Sequence, residues 1–175
     1  KEGKGFKVLT GKETQRYYIK EIDDKWFLEE KYLNKIDIER ANKKKLVVQD
    51  IVAHITKPSP RIKLAATIDE QHQFCLNTVM CFSEKGMLQN EFLVGLINSS
   101  LMSFFFYYFI YNQAIRTMHF MPGYSDKIPI PINLENANLI VQLVSKILSS
   151  KKYSSSADTL DLENQIDQLV YQLYG

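Results

Sequence analysis

The chain is 175 residues long, 45% hydrophobic and 24% charged, with a formal net charge of +2 at pH 7 and two cysteines. That is one domain, or one domain with an appendage, and enough apolar mass for a core. It has no initiator Met, no signal peptide and no apolar run of about 18 residues, which leaves the expectation of an excised piece of an intracellular protein, cytoplasmic in a bacterium or archaeon. The small net charge conceals an asymmetry: residues 1–63 hold 16 Lys plus Arg against 10 Asp plus Glu, or +6, and residues 64–175 hold 6 against 10, or −4. A basic half of this kind suits a polyanion, and equally suits a lysine-rich solvated face.

Taken in order, Thr10-Gly11-Lys12-Glu13-Thr14-Gln15-Arg16-Tyr17-Tyr18-Ile19 predicts a turn leading into a short strand. Arg16 beside Tyr17 is either an exposed strand edge or a cationic fork next to a flat ring, the pairing that clamps a phosphate. Trp26-Phe27-Leu28 fits a strand or a helix start, and residues 29–45 are strongly charged around Tyr32, Leu33, Ile36 and Ile38. Asp23, Asp24, Glu29 and Lys31 loosely echo a metal-dependent nuclease, but such acids belong on neighbouring strands and these crowd together, so the match is rejected. Lys43-Lys44-Lys45, just ahead of a strand, is either a solvated turn or a phosphate-contacting edge.

Residues 46–55 are rich in β-branched groups and predict a strand, which Pro58 and Pro60 break. Residues 61–68 predict a second strand with Arg61 and Lys63 on one face, and residues 74–82 a third. Cys75 and Cys81, six apart in one strand, would lie roughly 20 Å apart at about 3.3 Å per residue, too far for a mutual disulfide or a shared metal unless the strand bends. Reduced, buried thiols are the expectation. Three strands joined by turns, two of them basic, predict an antiparallel or mixed sheet with one face free for a partner.

Gly86 predicts a turn, and Asn90 an N-cap for the most apolar stretch in the chain. Phe92, Leu93, Leu96, Ile97, Leu101, Phe104, Phe105, Tyr108 and Phe109 recur at helical spacing, and Val94, Phe106 and Ile110 occupy the other faces, which predicts a buried aromatic helix. A membrane span needs about 20 apolar residues, and Asn98-Ser99-Ser100 and Arg116 bracket this one too closely. Its tyrosine hydroxyls predict that one side meets a polar boundary or a partner. Residues 112–127 form a polar loop in which Asn112, Gln113, Arg116, His119, Ser125 and Lys127 are of the types that read base edges. Ile128-Pro129-Ile130-Pro131 is an extended exit. Leu139, Ile140, Leu143, Val144, Ile147 and Leu148 predict an amphipathic helix, residues 151–156 a polar loop, and Leu162, Ile166, Leu169, Val170 and Leu173 a second helix capped by Asp158, so the tail is expected to be a helical hairpin.

No catalytic chemistry emerges. His54, His72 and His119 are scattered, without metal-ligand spacing to each other or to the cysteines, and there is neither a glycine-rich phosphate loop nor a nucleophile elbow. Taken together, the elements predict an α+β fold: a small antiparallel or mixed β-sheet domain over residues 1–132, packed on the buried aromatic helix, then a C-terminal helical hairpin over residues 133–175.

The order of these pieces resembles the TaqI-like C-terminal specificity domain of adenine-specific DNA methyltransferases and single-chain type IIG restriction-modification enzymes. The landmarks are Gly11 leading to Arg16-Tyr17, Lys45-Leu46-Val47-Val48-Gln49, Pro60-Arg61-Ile62 running on to Asp69, Asn77-Thr78, Leu96-Ile97-Asn98-Ser99, Ile128-Pro129-Ile130-Pro131 and the closing residues 162–175. The resemblance implies a target recognition domain that grips duplex DNA while a methyltransferase domain of the same parent chain binds S-adenosylmethionine and flips the adenine. The glycine-rich cofactor loop and the Asn-Pro-Pro-Tyr or Asp-Pro-Pro-Tyr tetrapeptide are absent here, so no cofactor is expected in this chain and no catalysis by it. Under this resemblance Arg16, Lys43, Lys44, Lys45, Arg61 and Lys63 are expected to contact phosphates, with Tyr17 beside Arg16, and Arg116, His119 and Lys127 to read bases. Half of a type I restriction specificity subunit, and a protein interaction module without DNA binding, remain the alternatives.

Overall fold

The computed structural model describes residues 4–22, 26–83, 88–114, 117–131 and 135–175. The expected turn at Gly86, the acidic pair Asp23 and Asp24, the readout residue Arg116 and the expected domain boundary between residues 132 and 133 lie outside them.

The architecture is α+β. The two long strands expected at residues 46–55 and 61–68 form one bent hairpin, interrupted at its middle. Its first half pairs β5 (Lys45–Gln49) with β8 (Ala66–Asp69), from Lys45↔Asp69 to Val48↔Ala66, and its second half pairs β6 (Ala53–Ile55) with β7 (Arg61–Lys63), from Ala53↔Lys63 to Ile55↔Arg61; both are antiparallel. The interruption exists because backbone groups at the middle are taken by other partners. Asp50 N–H donates to the Thr78 carbonyl, Val52 N–H to that of Met118, and Leu64 N–H to the Ser103 hydroxyl. The apolar pattern of residues 46–55 carries no trace of such side bonds, so the sequence reads as continuous strand.

The third expected strand is also divided. β9 (Phe74–Cys75) turns at once into β10 (Val79–Ser83), which pairs antiparallel with β5 to complete a sheet of order β10-β5-β8. β9 instead joins a second sheet, lying parallel to β1 (Gly5–Leu9), whose other edge carries β4 (Phe27–Glu29) antiparallel. Because the chain folds back between them, Cys75 and Cys81 come to a Cα separation of 6.9 Å and are joined by a disulfide, which overturns the expectation of separate reduced thiols. A small hairpin of β2 (Thr14–Gln15) and β3 (Tyr18–Ile19) stands against β8. α1 (Lys35–Ala41) occupies the charged stretch, with the Asn34 side chain accepting from Asp37 N–H at 2.9 Å.

The aromatic helix is not continuous. α2 (Asn90–Asn98) and α3 (Ser100–Phe105), the latter prolonged by a π-helical turn at Phe106–Ile110, are bent by 58° at Ser99. Ser99 is extended, its hydroxyl donates to Leu96 O at 2.7 Å and accepts from Met102 N–H at 3.1 Å, and so ends one helix while capping the next. Asn90 is the first helical residue and has a buried side chain; the preceding cap position is Gln89, without a side-chain bond, so the expected Asn90 cap is corrected. No described helix is long and apolar enough to cross a membrane. α2 is buried as expected, whereas Phe104, Tyr108 and Phe109 of the following segment face outward, Phe109 at 70% exposure.

α4 (Pro122–Ser125) is a single turn. α5 (Ala137–Tyr153) and α6 (Leu160–Tyr174) form the expected hairpin, joined by a loop over residues 154–159 that lies further along the chain than the expected 151–156 because α5 runs on through Lys151 and Lys152. Asp158 Oδ1 accepts from Leu160 N–H at 3.0 Å at the start of α6. Ile140, Val144 and Ile147 from α5 and Ile166 and Val170 from α6 are buried in one core with Leu46, Val48, Ile62, Phe92, Leu96, Phe106 and Phe120. Gly95 is where α2 crosses α5: a Cβ there would lie 2.6 Å from Ile140 Cγ2, so only a glycine permits this approach. The Tyr174 hydroxyl donates to the Pro129 carbonyl and ties the end of α6 to the Ile-Pro-Ile-Pro exit.

Candidate nucleic-acid interface

The β6–β7 hairpin is the chain's basic projection. Alternation buries Ile62 and turns Arg61 and Lys63 outward on one face, as the sequence predicts. Arg61 Nη1 donates to the carbonyls of Lys57 at 2.9 Å and Ser59 at 3.1 Å, so the guanidinium shapes the proline-containing tip and is held in place by it. Among the described residues neither Arg61 nor Lys63 is in an ion pair. Burial, then the charge of Arg16, with Arg61 adding to it, holds the Lys63 ammonium below the usual lysine range, although Glu163 and Asp167 oppose the shift. A cation in that position gains from an incoming anion.

Beside the hairpin lie α3 and the π-helical turn, which present Phe104 and Tyr108 with ring centroids 4.5 Å apart. A cleft of about 550 Å³ separates these elements from α6, with Arg61 and Lys63 on one wall and Glu163 and Asp167 on the other. Both carboxylates are engaged: Glu163 pairs with Arg16 at 2.7 Å, and Asp167 accepts from Ser100 N–H at 2.8 Å and from its hydroxyl at 2.6 Å. The cationic wall is therefore the one able to meet a phosphate, and the α6 wall repels it.

The segment around His119 adjoins the hairpin. Ile51 bridges His119 in antiparallel fashion immediately before β6, Phe120 N–H donates to Asp50 O at 2.7 Å, and His119 Nδ1 lies 2.6 Å from Asp50 Oδ2. The His119 side chain remains 43% exposed. The Tyr111 hydroxyl donates to His119 O at 3.0 Å, and burial, then the Asp50 carboxylate, raises its pKa far above the ordinary tyrosine value, so it stays a neutral donor. Tyr124 stacks edge-on against Tyr111, and Lys127 Nζ sits 5.7 Å over the Tyr124 ring. Asn112 and Gln113, both at positive φ, reverse the chain after the π-helical turn. The expected readout loop is thus tied down at several points, and it places His119 in an extended segment next to the hairpin.

The remaining expected contacts are placed elsewhere. Lys45 is 3% exposed and its Nζ bonds Asp69 Oδ2 at 2.6 Å and the Ala41 carbonyl at 3.1 Å, so it cannot reach a phosphate. Tyr17, 2% exposed at φ 66°, is a core residue whose N–H donates to Ala66 O at 3.0 Å. Arg16 spends its guanidinium on Leu64 O at 3.2 Å, Asn98 O at 2.6 Å and Glu163, pinning the β2–β3 turn to α2 and α6; it is a structural clamp where a phosphate clamp was expected. Lys43 is exposed, and Lys44 pairs with Glu91 at 2.8 Å and Glu70 at 3.8 Å. These lysines stand at the opposite end of the bent hairpin from Lys63, roughly 30 Å along it at about 3.3 Å per residue. The nine described residues of the ten expected therefore do not form one surface; Arg61 and Lys63 share the outward face of β7, His119 lies on the segment bridged to Ile51 just before β6, and Lys127 is linked to that segment through Tyr124 and Tyr111.

Three residues of this region escaped the sequence. Asp50 orients His119, and Phe104 and Tyr108 flank the cations, but nothing in strand or helix periodicity distinguishes an outward aromatic from a core one. Asn98, by contrast, lies within the Leu96-Ile97-Asn98-Ser99 landmark: its amide donates to Ala66 O at 2.9 Å and accepts from Ala66 N–H at 2.8 Å, closing the free edge of β8 beneath the hairpin. Among the described residues no group of three or more His, Cys, Asp or Glu could hold a metal ion.

Comparison with known families matches residues 6–130 to the TaqI-like C-terminal specificity domain. No curated protein matches the chain.

Proposed function

Because the chain belongs to the TaqI-like C-terminal specificity domain family, a DNA-recognition domain of restriction-modification systems, we propose that it reads duplex DNA with the β6–β7 hairpin and the adjoining His119 segment. The observation that carries this is the outward pair Arg61 and Lys63, without ion-pair partners among the described residues and next to exposed Phe104 and Tyr108. Arg61 and Lys63 take phosphates along the outward face of the hairpin, which fixes register, and His119, held by Asp50, and Lys127 reach base edges. Arg116 belongs to the same loop by sequence. Lys43 and Lys44 supply a second, weaker phosphate contact at the far end of β5, while Arg16, Tyr17 and Lys45 serve the scaffold.

In the finer version of this role the parent enzyme is a single-chain type IIG restriction-modification enzyme or adenine-specific methyltransferase, bacterial or archaeal and cytoplasmic. Its methyltransferase domain holds S-adenosylmethionine, and this domain contributes specificity without chemistry of its own. The outward Phe104, Tyr108 and Phe109 favour a second role beside DNA binding, as a seat for another protein surface.

Fluorescence anisotropy with a pool of random 20-base-pair duplexes, followed by sequencing of the retained fraction, tests the reading. The expected result is binding whose logarithm falls linearly with that of salt concentration, with an enriched motif. No binding at low salt, with the fold intact by circular dichroism, would contradict it. A parent that methylates unaided supports the single-chain assignment; a requirement for separate methylation subunits supports a type I specificity subunit.

A further inference from the structure

We propose that Cys75 and Cys81 are a reversible thiol-exchange site, and that their disulfide locks the corner from which the DNA-reading segment is held; only the effect on DNA rests on the role proposed above. The bond joins β9 to β10, and these strands belong to different sheets, so it staples the β4-β1-β9 sheet to the β10-β5-β8 sheet. Cys81 is exposed and Cys75 half-buried, and both line an open cleft of about 540 Å³ that also holds Asp37 and Arg40 of α1. A small thiol therefore has access to the Cys81 sulfur.

The corner closed by the disulfide carries three bonds to its surroundings. Leu76 N–H donates to Leu9 O at 2.9 Å, Gly11 N–H to the Thr78 hydroxyl at 3.0 Å, and Asp50 N–H to Thr78 O at 3.0 Å. Asp50 is the residue that holds His119. Gly11 lies so close that a Cβ there would sit 2.9 Å from the Thr78 carbonyl, so the corner cannot shift without displacing the Gly11 turn. A contiguous path thus runs from the sulfur pair through Thr78 and Asp50 to His119.

Exchange proceeds by attack of an external thiolate on Cys81 Sγ, which breaks the S–S bond, forms a mixed disulfide and expels Cys75 as a thiolate. A second thiolate attacks the external sulfur of the mixed disulfide and releases Cys81. Two protons from the attacking thiols end on the cysteines, so one protein disulfide and two small thiols become two cysteine thiols and one small disulfide. Loss of the short closed loop favours opening of the corner on the order of 50-fold.

The test uses the 175-residue chain purified without reductant. Maleimide labelling is expected to find no free thiol before dithiothreitol and both cysteines free after it. Amide exchange at Gly11 and Asp50 should accelerate by about 50-fold on reduction, with Val144 of α5, in the main core away from the corner, unchanged, and return on reoxidation. The Cys75→Ser, Cys81→Ser double variant should match the reduced protein and ignore dithiothreitol. DNA affinity should fall several-fold on reduction. Thiols that stay free under air, or Gly11 and Asp50 exchange rates that are the same in both states, overturn the site. Absence of DNA binding in both states counts against the DNA role alone, since labelling and exchange decide the redox site by themselves.

Discussion

Lys45 shows how far a residue's charge can mislead about its place. It ends a run of three lysines, yet its ammonium lies in the interior against Asp69, whose other bonds come from Gln71 N–H at 2.9 Å and Gln73 N–H at 2.8 Å. Replacing it by alanine leaves that carboxylate buried without a counter-charge, and Lys45→Ala is expected to lose about 3–5 kcal/mol of unfolding free energy in urea titrations. The folded fraction should bind DNA as the wild type does, because the β6–β7 half of the hairpin is untouched. Glu91 gives the corresponding pH effect. Burial alone would raise its pKa, but the hydrogen bond from Lys44 and a backbone bond at the helix start prevail and lower it from the usual 4.5. The folded state therefore gains stability from ionised Glu91 above pH 4.5 and loses it as pH falls through the lower folded value. A Glu91→Gln variant should accordingly be less stable than wild type at neutral pH, with the gap closing in acid, as thermal melts from about pH 7 down to about pH 2 would show.

Apolar spacing identifies most elements and misses their interruptions. Residues 92–110 keep helical periodicity straight through Ser99, because a bend leaves the periodic pattern of a buried segment intact; the break comes from the Ser99 hydroxyl capping α3 and the Asn98 amide bonding β8. The strands are split for the same reason, by backbone bonds to Thr78, Met118 and Ser103, partners far along the chain that no local pattern records. The terminal hairpin is legible almost entirely, since α5 and α6 each show one apolar stripe against solvent. What the stripe cannot show is the glycine that receives it. A valine at Gly95 would meet Ile140 Cγ2 and Val144 Cγ2, the latter 3.0 Å from a Cβ, and both belong to stiff β-branched side chains. Gly95→Val should therefore cost about 2 kcal/mol or more by overpacking, read from chemical denaturation with helix content preserved in circular dichroism.

Across the whole molecule, the six cations of the basic first half that were expected to contact phosphates have three separate fates: Lys45 and Arg16 inside the scaffold, Lys43 and Lys44 at one end of the bent hairpin, and Arg61 and Lys63 at the other. Strand alternation is enough to place the last pair on one outward face, which is why that placement was legible. The burial of Tyr17 and Lys45 depends on Ala66 and Asp69, partners remote in sequence, and was not. In the proposed role specificity is concentrated on one projection, where Ile62 anchors the strand from below and Asn98 braces its base. The direct measurement is duplex binding across a salt series for the wild type and for the double variant Arg61→Glu, Lys63→Glu, with Lys43→Glu, Lys44→Glu as the control on the far side. The expected result is at least about a tenfold loss of affinity and a salt slope shallower by about 2 for the hairpin variant, with a smaller effect for the control. Equal affinity of the hairpin variant and the wild type at low salt, or a larger loss in the control, would contradict the assignment of the β6–β7 hairpin as the DNA-gripping element.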